Sequence, residues 1–283
     1  MSTFHSIGEL HSKDLIQEME ANLSDRVQNL LTQGITPRLE ILNDNPDYQP
    51  SYTYSHLKEK IAHRLGMLAN ITEDQNTSLI AERVRSYSEL EDVHGIIVQL
   101  PLLNSTRTDE VLNLIDPIKD VDGLGPNAPH LPATPMAILR LLDYYDIDIY
   151  SNRVAVIGRG KLVGKPLIKY LVDNDAKDIH TFDETSEPLD IIKGINDAEI
   201  IITATGLPEL LTVDLFNSLE PKTLIDAGKA ELGTKVVGDV SEELRTQAIA
   251  NGWNVAPPLG GVGPITIRLL LENTVINAES KIS

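Results

Sequence analysis

Cysteine is absent from the 283 residues. That excludes disulfides and thiolate metal sites, and it fits a reducing, cytoplasmic setting. Aromatic residues make up only 4% of the chain, so any core must be aliphatic. No apolar run reaches the roughly 18 residues of a membrane span. The opening "MSTFHSIGEL" has no basic stretch leading into an apolar one, so neither a secretory signal nor a membrane partner is expected. Positive charge is scarce: 24 Lys and Arg face 42 Asp and Glu, a formal net charge of -18. Such a surface repels phosphate backbones and argues against nucleic acid as a partner, although small anions can still bind in a local pocket.

The length suits about two domains of ordinary size. Apolar runs of strand length occur at Arg38–Leu42, Ile96–Leu100, Arg153–Ile157, Ile179–Phe182, Glu199–Thr203 and Thr223–Asp226. Amphipathic stretches such as Ser51–Leu65, Val163–Leu171 and Val213–Leu219 lie between them. This alternation predicts an α/β protein with parallel sheets covered by helices. In "LPATPMAILRLLDYYDID", Thr134 can cap a helix and Pro135 suits its first position. That helix, 135–147, is expected to join a lobe at 1–134 to a second lobe at 148–263, with a last helix from Pro264 to about Ala278.

"VAVIGRGKLVGKPL" is a strand running through a glycine turn into a helix. Gly158, Gly160 and Gly164 form G-x-G-x-x-x-G, one residue longer than the dinucleotide fingerprint. The first glycine allows the tight turn, the second lets the backbone approach a pyrophosphate, and the helix N-terminus attracts the anion. Pro166 after Lys165 excludes a P-loop. Asp183 lies 25 residues beyond Gly158. Asp183 and Glu184 are either solvated loop acids or acceptors for the ribose hydroxyls of NAD. Arg159 and Lys161 pull the other way, since either can pair with the extra phosphate of NADP.

Tyr54 and Lys58 are four residues apart on a predicted helix and share a face. Leu57, Ile61 and Leu65 form an apolar stripe beside Lys58, Gly66 is a candidate C-cap, and Lys60 points elsewhere. A partly buried lysine has a lowered pKa and can serve as a base, whereas a surface lysine merely lays its stem over apolar neighbours. Gln99 ends the apolar strand "GIIVQLPLL", where open α/β sheets bind ligands. In "KDVDGLGPN", Asp120 and Asp122 lack the other ligand positions of a calcium loop, so no metal site is expected. One can brace the loop while the other reads a donor-rich heterocycle. "APPLGGVGPITI" supplies exposed backbone N–H groups at Gly260, Gly261 and Gly263.

Taken in order, "GIIVQLPLL", "IKDVDG", "ATP", "VIGRGKLVGKPL", "GDV" and "GGVGPIT" resemble the methylenetetrahydrofolate dehydrogenase/methenyltetrahydrofolate cyclohydrolase family over nearly the whole chain. The resemblance implies an N-terminal α/β substrate domain and a Rossmann-like, doubly wound domain for NADP or NAD, with a cleft between them and the C-terminal helix, 264–283, returning to the first. It implies a cytoplasmic homodimer acting on a small-molecule folate and serving purine biosynthesis. Lys58 matches the catalytic lysine, Tyr54 the tyrosine that stacks on folate, Gln99 the partner of the lysine, and Asp122 the aspartate that grips the pterin. Val98, Leu100, Gly260, Gly261 and Gly263 fall at substrate-binding positions. Gly158, Arg159, Gly160, Gly164, Asp183, Glu184, Thr205 and Lys229 fall at cofactor positions.

The sequence departs from the family pattern at several points. Gly160 stands where serine is frequent, "DETS" replaces a His-Ser-x-Thr-type segment, and "DAGKA" places Lys229 where the cofactor passes. These changes leave NAD and NADP both open. They also keep alternatives alive: a dehydrogenase without hydrolase activity, a shikimate-dehydrogenase-like enzyme, and an inactive dinucleotide-binding regulator.

Overall fold

The computed structural model describes residues 8–232 and 235–282, so the extreme ends of the expected first lobe and last helix lie outside the described residues. The chain divides into two compact units. The first comprises Gln17–Ala133 with Ile267–Ser283, and the second comprises the chain up to Ile16 with Thr134–Thr266.

In chain order the elements are α1 (Lys13–Thr32), β1 (Arg38–Asn43), α2 (Gln49–Arg64), β2 (Leu68–Glu73), α3 (Thr77–Glu89), β3 (Gly95–Val98), α4 (Thr108–Leu112), α5 (Ala133–Tyr144), β4 (Arg153–Ile157), α6 (Gly164–Asp173), β5 (Asp178–Phe182), α7 (Pro188–Asp197), β6 (Ile200–Thr203), β7 (Thr223–Asp226), β8 (Ala230–Leu232), β9 (Lys235–Val237), α8 (Glu242–Ala250), β10 (Asn254–Ala256) and α9 (Val262–Glu279).

The first unit holds a three-stranded sheet of order β2-β1-β3, all parallel. The second holds a five-stranded parallel sheet of order β10-β7-β6-β4-β5, together with the β8-β9 antiparallel hairpin. The central strands are buried on both faces, which is why they read as unbroken apolar runs rather than alternating ones. Both cores are mainly aliphatic. Leu42, Ile80, Val84, Ile96, Val98 and Val111 fill part of the first. In the second, Ile157, Ile201, Leu224 and Leu244 surround Phe182 and Trp253.

Local chemistry sets the helix ends. Asn76 caps α3 by accepting from the backbone N–H groups of Ser78 and Leu79, and Ser241 caps α8 through Leu244. At the end of α2, Gly66 takes φ +86°. Its N–H donates to His63 and that of Met67 to Ala62, closing a Schellman motif.

Several expectations change. Residues 9–12 belong with the second unit, because the backbone extends its sheet: Glu9 bridges Val255, and the Leu10 N–H donates to the Val255 carbonyl at 2.8 Å. The joining helix starts at Ala133, so Thr134 and Pro135 both sit in its first turn, where a missing proline N–H loses no bond. The strand at Ile96 ends at Val98, leaving Gln99 and Leu100 beyond it. The stretch Val213–Leu219 forms only a 3₁₀ turn at Val213–Leu215. There the Asn196 side chain donates to the Leu215 carbonyl and accepts from the Asn217 N–H, holding the chain out of a helix. Leu57 is 39% exposed and lies off the buried stripe of α2, which runs through Ser51, Ser55, Lys58, Ile61 and Ala62.

Trp253 is fully buried, meets Phe216 edge to face at 5.3 Å, and donates from Nε1 to the Leu219 carbonyl at 3.1 Å. Trp253→Ala should lower the stability of the second unit by about 3–5 kcal/mol. The measurement is urea unfolding followed by far-UV circular dichroism, since the variant has no tryptophan to report. A loss under about 1 kcal/mol would show that this site collapses around the cavity or contributes little to the core.

Candidate active site and nucleotide pocket

In each parallel sheet the first strand lies inside, with its successors on opposite sides: β1 between β2 and β3, and β4 between β5 and β6. The chain leaving β1 runs towards β2 and away from β3, and that leaving β4 runs towards β5 and away from β6, so a crevice opens at the carboxyl ends, the usual ligand position in such sheets. Each candidate site lies at one of these switch points.

In the first unit, α2 follows β1 and turns a polar stripe inward. Ser51 and Ser55 are buried, and Lys58 is only 7% exposed. The Lys58 Nζ donates to Gln99 Oε1 at 2.8 Å. Gln99 is fixed in turn, its Nε2 donating to the Leu100 carbonyl at 2.9 Å. Ser51 Oγ reaches the same carbonyl at 3.4 Å, and the Leu100–Pro101 peptide is cis. Burial pushes the Lys58 ammonium below the ordinary lysine range, while the Asp122 carboxylate opposes that shift. Burial likewise pushes Asp122 up to about 6, with Lys58 pulling it down and Asp120 adding to the rise.

The two aspartates of "KDVDG" divide the work between them. Asp120 braces the loop, accepting from the backbone N–H groups of Gly123 at 3.0 Å and Gly125 at 2.6 Å. Lys119 fastens it from the other side through the carbonyls of Tyr87, Ser88 and Leu90. Asp122 is left to interact with Lys58. No group of three or more metal-ligating side chains occurs among the described residues. The structure thus brings Lys58, Gln99 and Asp122 together, with Tyr54 one turn earlier on α2 and half-buried. Val98 is buried at the end of β3, and Leu100 contributes its carbonyl.

Asn43, Asp44 and Ser55 escape the sequence reading. Asn43 ends β1 fully buried, with its Nδ2 lacking a protein partner, as does the buried Ser55 Oγ. Asp44 accepts from the Thr77 hydroxyl and from the Leu103 N–H. The signal for the first pair was present: two polar residues directly follow an apolar strand at its carboxyl end.

In the second unit, the glycine turn joins β4 to α6. Gly158 takes φ +101°, and a Cβ there would lie 2.6 Å from the Ala204 carbonyl oxygen. A Cβ on Gly164 would lie 1.7 Å from the Gly158 carbonyl oxygen, so helix and turn close only with glycine. A Cβ on Gly160 would meet nothing within 4 Å, which leaves the turn open where a phosphate must approach. This cradle, the helix that follows and the adjoining pocket fit a dinucleotide. The pocket has a volume of about 640 Å³. Arg159, Asp183, Glu184 and Thr205 line it beside an apolar wall that includes Ile191 and Leu215.

Two buried carboxylates brace the chain that follows β6. Asp239 accepts from the N–H groups of Thr205 at 2.7 Å and Gly206 at 2.9 Å. Asp226, pushed up to about 6 chiefly by burial, accepts from Gly228, Asp239 and Val240. "GDV" is therefore an internal clamp. Lys229 is exposed and does not line the pocket; its Nζ would lie 2.9 Å from a Cβ on Gly263. Gly260, at φ +86°, accepts from the Ser12 N–H and hydroxyl, and Gly261 packs against the Pro257 carbonyl. Gly260, Gly261 and Gly263 belong to the second unit, not the first.

The glycine geometry predicts a contrast. Gly164→Ala should destabilise the protein by about 1–3 kcal/mol through overpacking. Gly160→Ala should change stability by less than about 0.5 kcal/mol. Parallel urea titrations check both, and equal effects would refute the cradle as described.

Comparison with known proteins agrees with this geometry. Residues 10–122 match the family model for the tetrahydrofolate dehydrogenase/cyclohydrolase catalytic domain, and residues 132–282 match its NAD(P)-binding domain. The bifunctional protein FolD of Macrococcus caseolyticus is 33% identical over 282 residues, covering 95% of this chain and 97% of that protein. The crystal structure of the bifunctional FolD dehydrogenase/cyclohydrolase of Campylobacter jejuni superposes with a TM-score of 0.86 at 30% identity, covering 97% of this chain and 99% of that one. That of Trypanosoma brucei, solved with NADP and an inhibitor, gives 0.86 at 26% identity, covering 100% and 99%. The chain belongs to the tetrahydrofolate dehydrogenase/cyclohydrolase family.

Proposed function

We propose that the protein oxidises 5,10-methylenetetrahydrofolate to the methenyl form with NAD(P)+ and hydrolyses that product to 10-formyltetrahydrofolate. The observation that carries the second activity is the buried Lys58 held by Gln99 beside Asp122. A dinucleotide, when bound, supplies the hydride acceptor for the first step. The glycine turn and the Thr205–Gly206 rim bind and orient it, and Thr205 is itself oriented by Asp239.

Hydrolysis adds water to the methenyl carbon and then breaks its bond to N5. The proton lost by the water must be accepted, and N5 must receive one as it leaves. Lys58 is suited to both transfers, because burial favours its neutral amine and Asp122 favours its ammonium. The Gln99 oxygen holds Nζ in place in either state. In this reading Asp122 grips the pterin N–H donors, Tyr54 stacks on the ring, and Val98 and Leu100 line the substrate. Loss of the hydrolase is disfavoured by the intact Lys58–Gln99 contact. The same reading makes the protein a cytoplasmic homodimer whose formyl product serves purine biosynthesis; no described helix is long and apolar enough to cross a membrane.

The test is an assay of purified protein with methylenetetrahydrofolate and either cofactor, following dinucleotide reduction and methenyl absorbance together. The expected result is reduction with little methenyl accumulation. Lys58→Met should cut hydrolysis at least about 100-fold and let methenyl accumulate. Retained hydrolysis would sink the assignment.

A pH profile tests the electrostatics. Asp122 raises the Lys58 pKa, so Asp122→Asn should lower it further. The ascending limb that reports neutral Lys58 should then move to lower pH in single-turnover hydrolysis at saturating substrate. A limb that stays fixed or moves alkaline would show that Asp122 does not set the charge state of Lys58.

A further inference from the structure

The pocket beside the glycine turn carries a charge arrangement that selects between the two nicotinamide dinucleotides. They differ by one 2′-phosphate on the adenosine ribose, which brings about -1.5 to -2 charges. In doubly wound folds that ribose meets the end of the second strand of the unit, here β5, and the acidic residue just beyond it. Asp183 stands there, directly after Phe182.

Arg159 is the cation lining this pocket, against the carboxylates of Asp183 and Glu184. Its Nε donates to Asp183 Oδ2 at 2.6 Å. The other oxygen, Oδ1, accepts from the Thr185 N–H at 3.0 Å and the Thr185 hydroxyl at 2.7 Å. The Asp183 N–H in turn donates to Ser186 Oγ. The aspartate is thus fixed by its own turn and reaches Arg159 from a fixed position, with a side chain only 16% exposed. These bonds hold its carboxyl well below the usual carboxylate range, so it is ionised at any working pH. At position 160 a hydroxyl-bearing side chain would meet no protein atom at its Cβ, yet glycine stands there and offers no side-chain donor.

From this geometry we propose that Asp183 makes the site selective for NAD over NADP, by neutralising Arg159 and presenting its carboxylate to the ribose 2′-hydroxyl. The proposal rests on the dinucleotide reading of the pocket given above. A 2′-phosphate would reach only the terminal N–H groups of Arg159, whose Nε and charge are already engaged by Asp183, and would still face two carboxylates. A 2′-hydroxyl donates to a carboxylate lone pair and leaves the Arg159–Asp183 pair intact. Arg159 therefore acts here as the partner that holds Asp183, and not as a phosphate receptor.

The test is calorimetric titration of the full chain with ADP-ribose and with 2′-phospho-ADP-ribose, two fragments that report binding without chemistry. The unsubstituted protein should bind ADP-ribose at least tenfold more tightly. Asp183→Ser releases Arg159 and should shift that ratio at least tenfold towards the phosphorylated fragment, with added salt weakening the gain. Asp183→Asn keeps an acceptor for the Thr185 turn and removes only the charge, so it should shift the ratio in the same direction. Gly160→Ser combined with Asp183→Ser should move it further.

Equal or tighter binding of the phosphorylated fragment by the unsubstituted protein would overturn the proposal and leave the dinucleotide reading standing. An unchanged ratio in both Asp183 variants would do the same. Binding of neither fragment would overturn the proposal and the dinucleotide reading together, while the folate assay would still report on the first unit.

Discussion

The placement of the first strand inside its sheet is the constraint on which both sites depend. Because β1 and β4 each have successors on both sides, the connection leaving each runs away from its other neighbour, and the carboxyl end between the two stays open. A crevice results from topology before any side chain is chosen. What differs is the chemistry placed at each. After β1 the chain returns through α2, whose inward stripe is polar for its first turns, so a lysine is carried into the protein. After β4 it passes through a glycine turn into α6, so backbone N–H groups and open space are presented instead.

The two units handle buried charge differently. In the first, an ammonium and a carboxylate face one another, each raising the ionised fraction of the other against burial. Such a pair contributes little to stability, because desolvation offsets most of the attraction. Burial lets Lys58 exchange its proton below the range of a surface lysine, and the carboxylate limits that shift. In the second unit, Asp226 and Asp239 lie near one another, and backbone N–H groups supply compensation for both. Those bonds tie the ends of β6 and β7 to the loop before α8. The carboxylates there serve geometry, whereas Asp122 serves charge.

The sequence exposes these features unequally. The buried parallel strands were legible because burial on both faces leaves an unbroken apolar run; Arg153–Ile157 and Thr223–Asp226 end where the run ends. The edge strand β2 was not legible, since "LANITE" has exposed and half-exposed positions that resemble a loop. Strands β8, β9 and β10 have three residues each, too few for any period to appear. Among the site residues, Tyr54, Lys58 and Gln99 could be singled out by spacing and strand position, and their roles came from the resemblance. The division of labour between Asp120 and Asp122 could not be read, because two acids in one turn are distinguished only by where the turn points them. Leu57 misled for a related reason: the apolar residue is exposed, while Ser51, Ser55 and Lys58 face inward, the reverse of the ordinary pattern on a helix. A helix that hides its polar side is carrying a site.

The net charge of -18 bears on how anions are bound. A strongly acidic surface slows the approach of anionic ligands and raises the background potential at every pocket. Recognition by surface cations is weakened where carboxylates pair with them: Arg159 is paired with Asp183, and Lys169 with Asp173. The glycine turn avoids this difficulty. Backbone N–H groups and a helix N-terminus are partial charges fixed in direction, and neighbouring acids cannot neutralise them by moving. They attract a pyrophosphate locally while the surface stays acidic. A fully charged monoester phosphate on the ribose has no such backbone cradle and would depend on a side-chain cation. On this surface that cation is engaged already, so the general acidity of the chain and the specific pairing at β5 act in the same direction.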